Sequence, residues 1–294
     1  MDLHYLSFEP PAALHGKLRA TFYVRGRLPS PTDMVFPNGM TSLVFTVGPS
    51  HRLGKDPDPD RNPLFSEGWL TGLQTTPVFN TPAGTDGEAR DGAVDAMGLL
   101  FEPLGLHALF GIDMGALADR TIDPRSVLPA DFLAVVEAAL ERPDVAPIHT
   151  ALQHALLALP RVDVPAWMIA LHDVIGSSRG EIRLDLAYAA AGITPQQAVV
   201  AFKRAVGLTP EALCRLHRMQ ALLEVVHMGG VVDWRGLALQ FGFPDPVDFA
   251  AAFTAFTGSA PEDYLAALQA HALALSAAEP ELVPAAHDAV ASVH

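Results

Sequence analysis

The chain has 294 residues, half of them apolar, a net charge of −14 and one cysteine. That apolar content excludes an intrinsically disordered chain, and a lone Cys214 excludes an intramolecular disulfide framework and fits a reducing compartment. With no basic-then-apolar start and no run of about 18–20 apolar residues, neither a secretory signal nor a membrane span is read, and a cytoplasmic protein is expected.

Residues 1–128 carry short apolar runs, Leu18 to Val24, Leu43 to Val47 and Met97 to Phe101, separated by turn formers such as Pro29-Ser30-Pro31 and Pro37-Asn38-Gly39. Short strands at this spacing predict an antiparallel β-barrel or sandwich. The period then becomes helical. Phe132, Val135, Val136, Ala139 and Leu140 form one stripe, and Ile148, Ala151, Leu152, Ala155, Leu156 and Leu159 another, on either side of Pro143 and Pro147. These two helices pack either on the strands or on a second copy of the chain, as a homodimer. Leu159 to Pro165 reads as a hinge. The expected division is a β-rich sensing or dimerisation domain over 1–165, a helical domain over 166–268 and an Ala-rich tail over 269–294, with Pro280 and Pro284 in it.

The helical part contains an internal repeat. One copy runs from Leu186 through Gly192-Ile193-Thr194-Pro195 to Phe202 and closes at Gly207 and Pro210. The other runs from Leu237 through Gly242-Phe243-Pro244-Asp245 to Phe253 and closes at Gly258 and Pro261. In each, a short helix stops at a glycine, an apolar residue and a capping residue follow, and a second helix begins. This is helix-turn-helix grammar, in which the second helix suits a major groove. Between the copies, Leu213, Leu216, Gln220, Leu223 and Val226 fit one face of a long connecting helix. Such a spacer holds two units for consecutive groove segments, roughly 34 Å apart.

These residues, over about 182–266, resemble the DNA-binding domain of the AraC-type (AraC/XylS) family of bacterial transcription regulators. More faintly, Phe36-Pro37-Asn38-Gly39 with Leu43-Val44-Phe45, Met97 to Pro103, and Leu109-Phe110-Gly111 resemble the β-barrel domain fused to some members. The resemblance implies an α+β multidomain protein: an N-terminal antiparallel, cupin-like β-barrel with a helical pair, then an all-α domain of two helix-turn-helix units joined by a long helix. It implies promoter double-stranded DNA as partner, with control by a small-molecule effector or a protein partner, and neither a cofactor nor catalysis.

Family members usually carry an arginine two residues before each phenylalanine; here Val200 and Ala251 stand there. The first recognition helix, Pro195 to Ala205, has Gln196 and Gln197 for base edges and Lys203 and Arg204 for phosphate, unless these are simply solvated. The second, Pro246 to Thr257, has no Lys or Arg and carries Asp248, which repels phosphate. The candidate DNA-contacting residues are Thr194, Gln196, Gln197, Val200, Lys203, Arg204, Arg218 and Asp248. Residues 181–268 hold six Lys or Arg against nine Asp or Glu, a net charge of −3. Because nonspecific affinity tracks neutralised phosphates, weakened DNA binding carried mainly by the first unit is expected. The alternative is a degenerate module that binds a protein through its Ala-rich second helix.

Other chemistry is weaker. Asp56, Asp58 and Asp60 resemble a calcium loop only superficially, since Arg61 stands where glycine is needed, and a solvated acidic loop is expected. The histidines show no metal spacing. His51 and His107 lie in the β-rich half, as ligand-holding residues of a barrel interior or as ordinary surface or core histidines. Cys214 is expected to be a buried small hydrophobe.

Overall fold

Strand formation in the first half follows the apolar runs, and most runs extend further than the sequence suggests. The computed structural model describes residues 3–28, 30–83, 92–141, 145–160 and 162–277, with side chains as far as 269. The strands are β1 (His4–Phe8), β2 (Leu18–Arg27), β3 (Asp33–Val35), β4 (Thr41–Thr46), β5 (Ser50–Gly54), β6 (Leu64–Phe65), β7 (Gly68–Thr71), β8 (Val78–Ala83), β9 (Ala93–Phe101) and β10 (Thr121–Ile122). They pair antiparallel in two sheets, ordered β1-β2-β9-β4-β7-β10 and β3-β8-β5-β6. The expected barrel-like architecture is present, opened into two facing sheets rather than closed as one ring.

Parity along the strands decides what each face buries. Val44, Trp69, Val94 and Ala96 of the larger sheet meet Leu53, Phe65 and Val78 of the smaller one. The alternate residues Leu43, Phe45, Leu70, Met97, Leu99 and Phe101 face the opposite way, into a second core. That core is closed by α1 (Gly105–Phe110), α2 (Ala130–Leu140) and α3 (Val145–Leu157). Phe132, Val136, Ala139, Ile148, Leu152 and Leu156 pack there, so the helical pair is seated on its own sheet, leaving Val135 on the outer side. The turn at Pro143 lies outside the described residues, as does the tail beyond Ala277 with Pro280 and Pro284.

The second half is helical: α4 (Ala166–Ser177), α5 (Leu184–Ala191), α6 (Pro195–Val206), α7 (Pro210–His227), α8 (Trp234–Gln240), α9 (Pro246–Thr257) and α10 (Pro261–Ala277). Its core centres on Phe202, Leu213, Leu222 and Phe253, each with 0% exposure. At 1.5 Å per residue α7 is about 27 Å long. Leu213, Leu216, Leu223 and Val226 lie buried along it, as the spacing predicts, while the half-buried Gln220 donates to the Pro37 carbonyl at 3.2 Å. Cys214 is buried, and that burial pushes its thiol up to about 11, so it stays a protonated, inert hydrophobe at neutral pH.

Among the described residues, the contacts between the two halves include two that matter most for their arrangement. The Gly207 that ends α6 lies so close to a short 3-10 turn at Met114–Ala116 that a Cβ there would stand 2.9 Å from the Met114 carbonyl oxygen. At the other place, residues 34–39 lie against α7 and α10: Phe36 meets Tyr264 edge-on, with ring centroids 6.0 Å apart.

Candidate nucleic-acid interface

Each helix-turn-helix unit is set by local chemistry. Gly192 and Gly242 adopt left-handed conformations, with φ of 67° and 78°, just past the ends of α5 and α8. A side chain at either position would be strained, which is why glycine stands at both turns. Thr194 caps α6: its hydroxyl accepts from the Gln197 amide at 3.2 Å, and the Gln197 Oε1 accepts in return from the Thr194 amide at 2.8 Å. This capping box satisfies two backbone donors that the helix start would otherwise leave open. Asp245 caps α9 alone, accepting from the Val247 and Asp248 amides at 2.7 and 3.1 Å.

The cap changes the roles available to the glutamines. A bidentate amide contact to adenine needs both the oxygen and the nitrogen of one side chain. Gln197 has its oxygen committed to the helix start, so among the two glutamines only Gln196 keeps a whole amide for such a contact. Both are exposed, as are Val200, Lys203 and Arg204 on the same helix. Lys203 and Arg204 form no ion pair among the described residues and stand in the last turn of α6, where the helix dipole favours cations. Arg218 goes elsewhere. Its Nη1 lies 3.2 Å from where a Cβ on Gly242 would stand, at the turn of the second unit, and its buried Nε has no partner among the described residues.

The second unit presents a different surface. Asp248 is exposed in the first turn of α9, where it complements the dipole. Val247 is 76% exposed, and Ala251 is exposed on the same helix. Beneath that surface the unit is well packed. Phe249 and Phe253 lie against Trp234, with centroids 6.1 and 5.2 Å away, and Tyr264 closes on Phe253 at 5.5 Å. Around the first unit, Arg183 pairs with Asp185 at 2.7 Å and Arg179 with Glu224 at 3.1 Å, so two further cations there are offset by carboxylates.

A second feature lies between the sheets: a cavity of about 450 Å³ with mostly apolar walls. His51, fully buried, lines it beside Trp69 and bonds through Nδ1 to Asn80 Oδ1 at 2.8 Å. Burial holds its imidazole below the ordinary histidine range and therefore neutral, against a smaller opposing effect of the Asn80 bond. Gln74 lines the same space, and nothing in its sequence surroundings marked it. His107 is a structural residue by its bond, Nδ1 to the Ile112 carbonyl at 2.8 Å. In the acidic loop, the Asp56 and Asp58 carboxylates accept from turn amides and pair with Arg61.

Comparison with known proteins gives a match of residues 6–123, less than half of the chain, to a family described as a domain of unknown function (DUF6597). No curated protein matches the chain. Among solved structures it is similar to ToxT from Vibrio cholerae O395, at 12% identity and a TM-score of 0.42, over 84% of this chain and 98% of that one. It is likewise similar to ToxT of Vibrio cholerae strain SCE256 with a bound unsaturated fatty acid, at 13% identity and a TM-score of 0.40, over 90% of this chain and 94% of that one. Likeness at this level assigns no function. No helix among the described residues is long and apolar enough to cross a membrane.

Proposed function

We propose that this chain is a DNA-binding transcription regulator of the AraC type, in which α6 makes most of the DNA contact and the β-rich half, about residues 1–165, senses an effector or partner in the cytoplasm. One observation carries the reading: the same unit occurs twice, each time with a left-handed glycine at the turn, a capped second helix and a fully buried phenylalanine, on either side of one stiff helix. Exposed Gln196, Lys203 and Arg204 on α6 supply one amide for a base and two cations for phosphate.

The test is selection of duplexes from a randomised pool by the full-length protein at low salt. A recovered consensus that Gln196→Ala blurs is the expected result; recovery without any sequence preference contradicts the reading.

A second reading is favoured by the apolar character of the outward surface, where Val200 is 58%, Leu239 56% and Val247 76% exposed. On that reading the double unit binds a protein. Failure to select DNA, together with a partner whose binding Val247→Glu abolishes, would establish it.

A further inference from the structure

We propose that the cavity between the two sheets is a binding site for an uncharged, largely apolar small molecule that carries a hydrogen-bond donor such as a hydroxyl. The space, about 450 Å³, is walled by Val44, Leu53, Trp69 and Val78 from both sheets. Among the described residues no Asp, Glu, Lys or Arg lines it. A charged ligand would therefore be stripped of water with no countercharge to receive it.

Two buried side chains set the polarity. His51 Nδ1 meets a carbonyl oxygen of Asn80, so Nδ1 carries the proton and Nε2 is a bare acceptor, with no partner among the described residues. Gln74, 8% exposed, donates through Nε2 to two backbone carbonyls, Gly72 at 2.9 Å and Arg120 at 3.3 Å. Those two acceptors fix which end of the amide is the nitrogen. Its Oε1 is thereby left as a second acceptor without a partner among the described residues. Both of these atoms accept and neither donates, so a ligand group that meets them must donate, while Ser42 and Asn38 on the same walls can pair with other polar groups. At those two positions a carboxylate or phosphate would set acceptor against acceptor.

Phe36, Asn38 and Met40 line the same cavity, and their segment holds the helical half through Pro37 and Phe36. An occupant pressing on residues 36–40 acts directly on the contact with α7 and α10. That consequence rests on the regulator reading; the binding site does not.

The experiment is titration calorimetry of the full chain with 4-tert-butylphenol, tert-butylbenzene and 4-tert-butylbenzoate, which share a shape and differ in a donor, nothing, or a negative charge. The phenol should bind saturably and about tenfold tighter than the hydrocarbon, as expected when a donor fills a buried acceptor. The benzoate should bind weakest. In His51→Leu or Gln74→Met, at least one should bring phenol and hydrocarbon within about twofold while the hydrocarbon still binds, showing that the cavity persists. Should neither variant fold, the three-ligand ranking on the native chain decides. Equal binding of phenol and hydrocarbon, preference for the benzoate, no saturable heat, or an undiminished phenol advantage in both folded variants overturns the proposal. Because no DNA is present, a chain that binds the phenol but selects no duplex would sink the regulator reading alone.

Discussion

The two helix-turn-helix units share a core and differ in the polar and charged residues of their second helices that face solvent. In the first, Phe202 is buried beneath a helix whose outer side offers Gln196, Lys203 and Arg204. In the second, Phe253 is equally buried beneath a helix that offers Val247, Asp248 and Ala251. Packing explains the sameness: a phenylalanine at that position closes the angle between the two helices of a unit, and its loss leaves a cavity in either copy. Nothing about packing constrains the outer face. Its divergence therefore separates what holds a unit together from what the unit contacts, and on the proposed function it leaves DNA contact to the first.

The strongest way to break that comparison is through the cores. Phe202→Ala and Phe253→Ala should each destabilise by about 3–5 kcal/mol in denaturant unfolding. If one were nearly neutral, its unit would not be packed as the other is. Next come the glutamines. Gln196→Ala should relax preference at one base by about 1–3 kcal/mol with little change in stability. Gln197→Ala should do the reverse, costing helix stability of roughly 0.5–1 kcal/mol through the capping box while sequence preference stays. Interchanged phenotypes would mean that the cap does not hold Gln197.

The smallest expected effect concerns pH. Desolvation lowers the pKa of His51, and of His217 and His227 on α7 between the two units, with the charge of His172 adding to the lowering at His217. With native values below the ordinary one, the unfolded chain binds more protons near pH 6.5, so stability is full above that range and falls as pH drops through it. Thermal unfolding followed from pH 8 to 5 should show this decline. A stability that rises towards pH 5 would contradict the burial of these groups.

Much of this was legible in the sequence, for physical reasons that also mark where legibility ends. The repeat could be read because a left-handed glycine, a cap and a buried phenylalanine each demand a residue type at a fixed distance. The strands could be located at Leu18, Leu43 and Met97. Their faces could not be assigned, because the larger sheet is covered on both sides and Met97 to Phe101 is apolar throughout. Among the candidate interface residues, Gln196, Lys203 and Arg204 are exposed where helix periodicity puts them. The commitment of Gln197 to the cap, and the placement of Arg218 beside the second turn, depend on atoms that sequence spacing does not fix. His51 and Gln74 lie on separate segments and belong to no motif, so only folding brings them to one cavity.

Salt dependence tests the asymmetry between the units most directly. The affinity of the full-length protein for a selected duplex would be followed against salt for the native chain, for Lys203→Ala with Arg204→Ala, and for Arg235→Ala in the second unit. Each phosphate contact adds about 0.9 to the slope of log affinity against log salt. The double substitution should lower the slope by about 2 and the Arg235 substitution should leave it unchanged. A slope untouched by losing Lys203 and Arg204, or reduced by losing Arg235, would contradict the assignment of DNA contact to the first unit.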